Sequence, residues 1–376
     1  MNRSTRWSVA FGAGILLSLG LLSPVATATA SPASSTASLD RSVEIPARSL
    51  FDRAVTPSEC SATMLDEFFF SELAAMTDEE FNFLVAHQDV FFGVPTYDPL
   101  YFGTADDPDY ALTLHSRQLQ NTFRDVKKFW TGVQSDDIQL MAMHADVLLD
   151  ADRIEDTLLL MQVSGALSPP LDTATPAQLR AEAVTVATFL QANVAEGREF
   201  YNNPLWTLNA YAFSAEGDPD PAVQGLPDKL VFGDGLLIAY DSFGLGDVGP
   251  RVIMGHEFAH HVQFELGVFD TGPADQAEAT RRTELMADAM ASYFGVHKKG
   301  LALNQKRVVD ALLSFYTVGD CSFASPGHHG TPLQRERAAT WGAELAAAAM
   351  PRSFVLPAAD VVAMFDAALP GIISGS

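Results

Sequence analysis

The sequence predicts an α+β fold that is mainly helical. Hydrophobic residues make up 48% of the 376 residues and charged residues 19%, which is enough apolar content to form a sizeable core. Helical periodicity recurs in long segments before residue 200 and after residue 249, whereas strand-like runs are confined to residues 206–240. A small sheet among many helices is the fold class that this distribution favours.

The charge of the chain excludes several classes of partner. Lys and Arg number 23 against 47 Asp and Glu, so the formal net charge is −24. Binding to nucleic acid requires a positive field on the protein, and an anionic membrane surface would repel this chain. We therefore expect no nucleic-acid partner. Two cysteines are too few for a disulfide-rich scaffold or for a zinc cluster built from cysteine alone.

The first thirty residues have the form of an export signal. Two arginines precede an apolar run over residues 9–22, and an Ala-Thr-Ala sequence ends at Ala30. This is the order of a signal peptide, and the apolar run is short for a bilayer span. We predict a signal peptide over residues 1–30 that is cleaved near Ala30, and a secreted mature protein with no stable membrane insertion. An uncleaved anchor is the alternative. A small-residue linker follows over residues 31–50.

The region after the linker contains the first of the two cysteines. Export would place Cys60 and Cys321 in an oxidising compartment, where a lone pair of cysteines tends to form a disulfide. We predict this bridge, with two free buried thiols as the alternative. Residues 51–200 are predicted to be a helical region whose role is open: it walls one side of a substrate cleft or is a removable pro-segment. The bridge favours the first role because it would keep the region attached. Its apolar-periodic segments are 64–90, 112–130, 136–160 and 177–194.

Strands and further helices follow after residue 200. Strand-like runs occupy residues 206–213, 229–232 and 236–240, and the last two are expected to form a hairpin or bulge around Gly233-Asp234-Gly235. Gly249-Pro250 then begins a helix that ends at Gly267. Further helices are predicted over residues 274–299, 303–318 and 333–349, and residues 351–376 are predicted to be a tail with a short helix.

A His-Glu-x-x-His pattern lies within the helix that Gly249-Pro250 begins. His256 and His260 are four residues apart on nearly the same helical face, so both imidazoles can reach one metal ion. Glu257 lies about 100° round the helix, where it can take a proton from the attacking water. A catalytic zinc needs a third protein ligand, and Glu284 on the returning helix would supply it. Asp288, one turn further, would hold a histidine N–H. A solvated acidic face is the alternative for these two acids, although apolar residues surround them.

Four sequence blocks resemble the bacterial neutral zinc metallopeptidase family, which is of the gluzincin type. The blocks are His256-Glu-Phe-Ala-His-His-Val-Gln263, Arg282-Thr-Glu-Leu-Met-Ala-Asp288, Gly319-Asp320 and His329-Gly-Thr-Pro-Leu-Gln-Arg335. The resemblance covers about residues 200–345. It implies a zincin-like catalytic domain over residues 201–350, one Zn²⁺ per chain, and hydrolysis of peptide bonds in a peptide or protein substrate. The chain departs from the family at Ala289, where cysteine is frequent, and in the length of its helical region.

Further site residues are predicted with open alternatives. The oxyanion of the reaction needs a stabiliser besides the metal, for which His328, His329 and Tyr293 are candidates. We select His329 because it begins a block that resembles the family, and a loop histidine without a role is the alternative. Asn209 and Ala210 would offer polar groups to an extended peptide, or belong to an ordinary core strand.

The remaining histidines and one arginine are not assigned to the site. His261 is expected to face away from the metal, because it lies about 100° from His260 on the helix. Arg335 could pair with an acidic residue near the site, but arginine is common at a helix start, so a structural role is predicted for it. The histidines without partners at ligand spacing are His87, His115, His144 and His297.

The function predicted from the sequence is that of a secreted zinc metalloendopeptidase. One alternative is a non-catalytic secreted binding protein on the same scaffold, which the presence of Glu257 disfavours. The other is a zinc amidase that acts on cell-wall material, since the same water chemistry serves any amide. The natural substrate, the cleavage preference and the oligomeric state are left open.

Overall fold

The computed structural model describes residues 10–12, 60–218, 220–323 and 325–375. The predicted cleavage site near Ala30 and the predicted linker over residues 31–50 lie outside the described residues. Within the described ranges, no helix is both long enough and apolar enough to cross a membrane.

Helices account for most of the described chain, as predicted. Twelve α-helices lie in the described ranges: α1 Met64–Ala75, α2 Asp78–Ala86, α3 Val94–Tyr101, α4 Ser116–Phe129, α5 Ala151–Val163, α6 Pro176–Ala195, α7 Asp234–Ser242, α8 Gly249–Glu265, α9 Gln276–Val296, α10 Gln305–Thr317, α11 Pro332–Ala348 and α12 Ala358–Ser374. The four helices predicted between residues 249 and 349 correspond to α8–α11. The C-terminal helix α12 has 17 residues, so it is longer than the short helix predicted there.

A small sheet completes the α+β fold. Its strands are β1 Ala10–Gly12, β2 Gln139–Met143, β3 Ala210–Phe213 and β4 Lys229–Gly233, in the spatial order β1-β3-β4-β2. Strand β3 pairs antiparallel with β1 and β4, whereas β2 pairs parallel with β4. The prediction of a mainly helical α+β fold is therefore confirmed.

Two short apolar segments differ from their predicted secondary structure. Residues 139–143 were predicted to be helical, but they form β2, whose Met141 lies opposite Val231 of β4. Residues 236–240 were predicted to be a strand, but they lie within α7, which begins directly after β4. Gly235 packs so closely on Pro204 that an added Cβ would lie 1.8 Å from its carbonyl oxygen. A short apolar run is compatible with a buried strand or a buried helix, so only the packing decides between them.

The regions before and after residue 200 share one hydrophobic core and are joined by a disulfide. Buried side chains from before and after residue 200 belong to one contiguous cluster, which includes Leu158, Val186, Phe258 and Met290. Strand β2 also joins the earlier region to β4. The predicted disulfide between Cys60 and Cys321 is present. The helical region is thus held to the rest of the chain by its core, by the sheet and by a covalent bond.

Helix α9 lies at the centre of the helices that build the candidate site. At Gly255 of α8, an added Cβ would lie 3.3 Å from atoms of Ala291 on α9. At Gly342 of α11, an added Cβ would lie only 1.9 Å from the carbonyl oxygen of Ala289 on α9. The chain reverses between α8 and α9 at Gly267, whose φ of +63° suits glycine. These close approaches place the polar side chains of α8, α9 and α11 together.

Candidate metal centre

The three predicted metal ligands come together in the structure. His256 Nε2 lies 3.0 Å from His260 Nε2 and 3.3 Å from Glu284 Oε2, and His260 Nε2 lies 3.3 Å from Glu284 Oε1. All three side chains are fully buried. Among the described residues, they form one of two groups whose ligand atoms are close enough to hold a metal ion.

The spacing of these atoms fits a small tetrahedral ion. Ligands that lie about 2.0–2.1 Å from such an ion are separated from one another by roughly 3.3 Å, close to the distances between these atoms. Glu284 Oε2 is buried and has no hydrogen-bond partner in the described structure. A buried carboxylate oxygen without a partner is unfavourable, and a cation between the three side chains would satisfy it.

A glutamine orients the second histidine of the pattern. His260 Nδ1 lies 2.9 Å from Gln263 Oε1, and the Gln263 amide in turn donates to the carbonyl oxygen of Thr283 at 2.8 Å. The amide oxygen can only accept, so Nδ1 of His260 carries the proton and Nε2 presents its lone pair to the metal position. Gln263 is one turn further along α8 than His260, and its role was not predicted from the sequence.

Asp288 lies behind the first histidine, as predicted, and Arg335 holds it there. Asp288 Oδ1 is 2.8 Å from His256 Nδ1. Arg335 donates from Nε to Asp288 Oδ2 and from Nη2 to Asp288 Oδ1, both at 2.8 Å. Its Nη2 is also 3.8 Å from Glu284 Oε2. Arg335, for which the sequence predicts a structural role, therefore contacts two acids of the site.

Glu257 has the environment of a reactive carboxylate. Its side chain is fully buried, and neither carboxylate oxygen has a hydrogen-bond partner in the described structure. Burial raises its pKa to about 7, against the opposing charges of His256 and His260. A buried acid with a raised pKa and no partner is a frequent property of functional sites.

The charges of the site favour a cation. Three fully buried carboxylates, Glu257, Glu284 and Asp288, are opposed by one guanidinium, that of Arg335. Two negative charges are thus uncompensated when the histidines are neutral. Burial lowers the pKa of His256, but the adjacent carboxylates of Asp288 and Glu284 outweigh it and raise that pKa to about 10. The position between the imidazoles and Glu284 therefore attracts positive charge strongly.

A loop between α10 and α11 carries the predicted oxyanion stabiliser, and Asp320 organises it. The Asp320 carboxylate accepts a hydrogen bond from the His329 backbone N–H at 2.7 Å and lies 2.8 Å from His328 Nδ1. Burial raises the pKa of Asp320, but the hydrogen bonds from His328, His329 and Ser322 outweigh it and hold that pKa well below its usual range.

The three candidates for oxyanion stabiliser have different surroundings. Burial raises the pKa of Glu284, but the neighbouring histidines His260, His329 and His256 outweigh it and hold that pKa well below the usual value. Tyr293 accepts a hydrogen bond from the Leu356 backbone N–H at 3.0 Å and packs on aromatic rings. His328 is buried, and its Nε2 has no partner in the described structure.

The predicted peptide-binding residues lie at the start of β3. The Asn209 carbonyl accepts a hydrogen bond from the Gly233 N–H at 2.8 Å, and its buried side-chain oxygen has no partner in the described structure. Ala210 lies opposite Phe232 of β4 on one side and Gly12 of β1 on the other. Because β1 falls within the predicted signal peptide, cleavage near Ala30 would open this outer edge of β3.

The unassigned histidines have partners outside the three-ligand group. His261 Nδ1 is 3.0 Å from Asp228 Oδ2, and its Nε2 is 2.6 Å from the Gln134 carbonyl oxygen. With Glu265, His261 and Asp228 form the second possible ligand group, in which both ring nitrogens already face acceptors. The other four pairs are His87 with Glu182, His115 with Asp241, His144 with Asp234 and His297 with the Phe354 carbonyl.

Three residues of the site were not assigned a role from the sequence: Gln263, Asp320 and Arg335. Each lies within a block that carries the family resemblance, which was the available signal, but the residue it contacts depends on the tertiary structure.

Comparison of this chain with protein-family models, curated proteins and solved structures found no match.

Proposed function

We propose that this chain is a secreted, zinc-dependent metalloendopeptidase with a zincin-like catalytic domain. The observation that carries the proposal is the buried group of His256, His260 and Glu284, beside the unpartnered carboxylate of Glu257. Three ligands and a separate base are the parts that metal-assisted hydrolysis needs. The resemblance to the neutral zinc metallopeptidases supports the same reaction.

The donor set favours zinc over the harder divalent cations. Calcium and magnesium prefer six or more oxygen ligands, whereas this group offers two imidazole nitrogens and one carboxylate. Zinc accepts two histidines and a glutamate in catalytic sites and keeps a fourth position open. A divalent ion would also cancel the two uncompensated charges of the buried acids.

Each side chain has a defined part in the proposed reaction. When bound, zinc supplies Lewis acidity that polarises the scissile carbonyl and lowers the pKa of water to about 7. Glu257 accepts the proton of the attacking water and later delivers it to the leaving amine. His329, held by Asp320, donates to the developing oxyanion. Gln263 and Asp288 keep the two imidazoles oriented through their Nδ1 atoms.

The substrate would bind along the outer edge of β3. An extended peptide can add a strand to an open sheet edge through main-chain hydrogen bonds, and β3 pairs antiparallel with β1 on that side. Asn209 and Ala210 then lie where the peptide enters. We place the mature protein outside the cytoplasm, because the Cys60–Cys321 bridge suits an oxidising compartment.

The test compares mature wild-type protein with the Glu257→Gln variant. Metal content per chain and hydrolysis of an unfolded protein are measured for both, and Glu278→Gln, which alters an exposed acid at the start of α9, is the matched control. We expect about one zinc in every variant and activity in wild type and in the control only. Removing a general base lowers the rate by about 10²–10⁴-fold.

Other outcomes separate the alternatives. Zinc in all variants with no hydrolysis of peptide bonds would favour the non-catalytic binding protein, unless cell-wall amides are cleaved, which would favour the amidase. A wild-type protein that holds no metal after purification and zinc addition refutes the site itself.

A further inference from the structure

We infer that Arg335 is a positioning residue that sets the metal affinity of the site by holding Asp288 against His256. The inference rests on the proposed metal function. Arg335 lies 3.8 Å from the proposed ligand Glu284, and it acts on the proposed ligand His256 through Asp288. Arg335 lies on α11, whereas His256 lies on α8 and Asp288 on α9. The three residues form a chain of contacts that joins the three helices.

The contact between Arg335 and Asp288 is bidentate and has a fixed geometry. The Arg335 guanidinium binds both Asp288 oxygens at 2.8 Å, which restricts the carboxylate to one plane. Asp288 Oδ1, which accepts from Arg335, also lies 2.8 Å from His256 Nδ1. Both Arg335 and Asp288 are fully buried, so water cannot replace either partner.

Holding Asp288 in this plane controls which nitrogen of His256 faces the metal. A carboxylate at Nδ1 keeps the proton there, so that the Nε2 lone pair points to Glu284 and His260. Without Arg335, the fully buried Asp288 would lose the guanidinium that holds its carboxylate in this plane, and it would be free to turn away from His256. His256 would then lose the partner that orients it.

Two features of α11 fix the position of Arg335 in the fold. Helix α11 begins at a capping box, in which Thr331 and Gln334 bond reciprocally, and Arg335 follows directly. At Gly342 the same helix approaches α9 so closely that no larger residue fits without displacement. A lysine at position 335 would keep the charge but could not bind both carboxylate oxygens in one plane.

The experiment measures zinc affinity by competition with a chelator, together with the unfolding midpoint. The variants are Arg335→Met, Arg335→Lys, Asp288→Asn and the double variant of Arg335→Met with Asp288→Asn. Loss of a partner behind a metal-binding histidine weakens metal binding by about 10–100-fold, and we expect this range for Arg335→Met and a smaller loss for Arg335→Lys. The double variant should bind zinc no more weakly than Asp288→Asn alone, because Arg335 acts through Asp288.

Arg282 supplies a matched control. It lies on α9 and is also buried, and it binds both oxygens of Asp366 at 2.7 and 2.8 Å. This pair contacts none of the three ligands. The Arg282→Met variant should therefore lose stability and keep wild-type zinc affinity.

The outcomes distinguish this inference from the proposed function. The positioning role would be overturned if a folded Arg335→Met protein binds zinc as tightly as wild type. It would also be overturned if Arg335→Met weakens zinc binding equally in the wild-type and Asp288→Asn backgrounds. Neither result would refute the metal site itself. If Arg335→Met does not fold, the zinc affinity of Arg335→Lys tests the positioning role instead. An affinity equal to that of wild type would then overturn the role. A wild-type chain that binds no zinc refutes the proposed function, and the positioning role with it.

Discussion

The Cys60–Cys321 bridge should contribute strongly to stability, and its removal can be predicted from the structure. The two residues are 261 positions apart. The loop-closure entropy of an unfolded chain with a loop of that length corresponds to about 5–6 kcal/mol at 25 °C. Measured losses are usually smaller, since unfolded chains keep residual structure. We therefore expect the Cys60→Ser and Cys321→Ser double variant to lose about 2–5 kcal/mol of unfolding free energy.

The same variant should remain folded and retain the proposed metal site. The Leu65 backbone N–H donates to Thr317 Oγ1 at 3.1 Å, so α1 stays attached to α10 without the bridge. The proposed ligands lie on α8 and α9, whereas Cys321 lies in the loop between α10 and α11. However, Cys321 adjoins Asp320, which organises the loop of His328 and His329. Catalytic rate should therefore fall more than zinc content.

Urea unfolding monitored by two spectroscopic probes measures the loss of stability, and wild-type protein under reducing conditions is the control. Reduced wild type and the double serine variant should have similar midpoints, both below that of the oxidised protein. A difference of less than about 0.5 kcal/mol between oxidised protein and variant would refute the entropic argument. Loss of zinc from the folded variant would refute the claim that the proposed metal site does not depend on the bridge.

Two further predictions concern packing and pH. Gly342→Ala would place a Cβ 1.9 Å from the Ala289 carbonyl oxygen, so urea unfolding should show a loss of about 1–3 kcal/mol. Gly272→Ala, whose Cβ would make an ordinary 3.5 Å contact, should change little, and equal effects would contradict the packing argument. For His144, burial lowers the pKa, but the hydrogen bond and charge of Asp234 outweigh it and raise that pKa above its usual value. A raised folded pKa stabilises the protein below the unfolded pKa of about 6.5, and this stabilisation is lost as pH rises through the folded value. Wild type should therefore exceed His144→Asn in stability more at pH 5.5 than at pH 9, and a pH-independent difference in urea midpoints would argue against this assignment.

Local spacing made the central features predictable. His256 and His260 share a helical face because they are four residues apart, and this relation holds in any helix that contains them. Glu284 and Asp288 share a face for the same reason. Helix α8 has strong end signals at Pro250 and Gly267, and α9 is long, so the positions of both helices agree closely with the prediction.

Short apolar runs were the least predictable part of the fold. Residues 139–143 and 236–240 have similar apolar character, yet the first forms a strand beside β4 and the second lies in α7. Neither run is long enough for its periodicity to distinguish strand from helix. The neighbouring β4 and the close contact at Gly235 decide the outcome.

By itself, the sequence determined the ligand pattern, the cysteine pair and the mainly helical α+β class, because these depend on local spacing or composition. Only the tertiary structure decided which residue supports each ligand. Gln263 contacts His260 within one turn of α8, but it is fixed by a carbonyl of α9. Arg335 reaches Asp288 across 47 positions of sequence, because the small residue at Gly342 lets α11 lie close against α9. Such contacts depend on helix packing distances, which no local pattern of residues specifies.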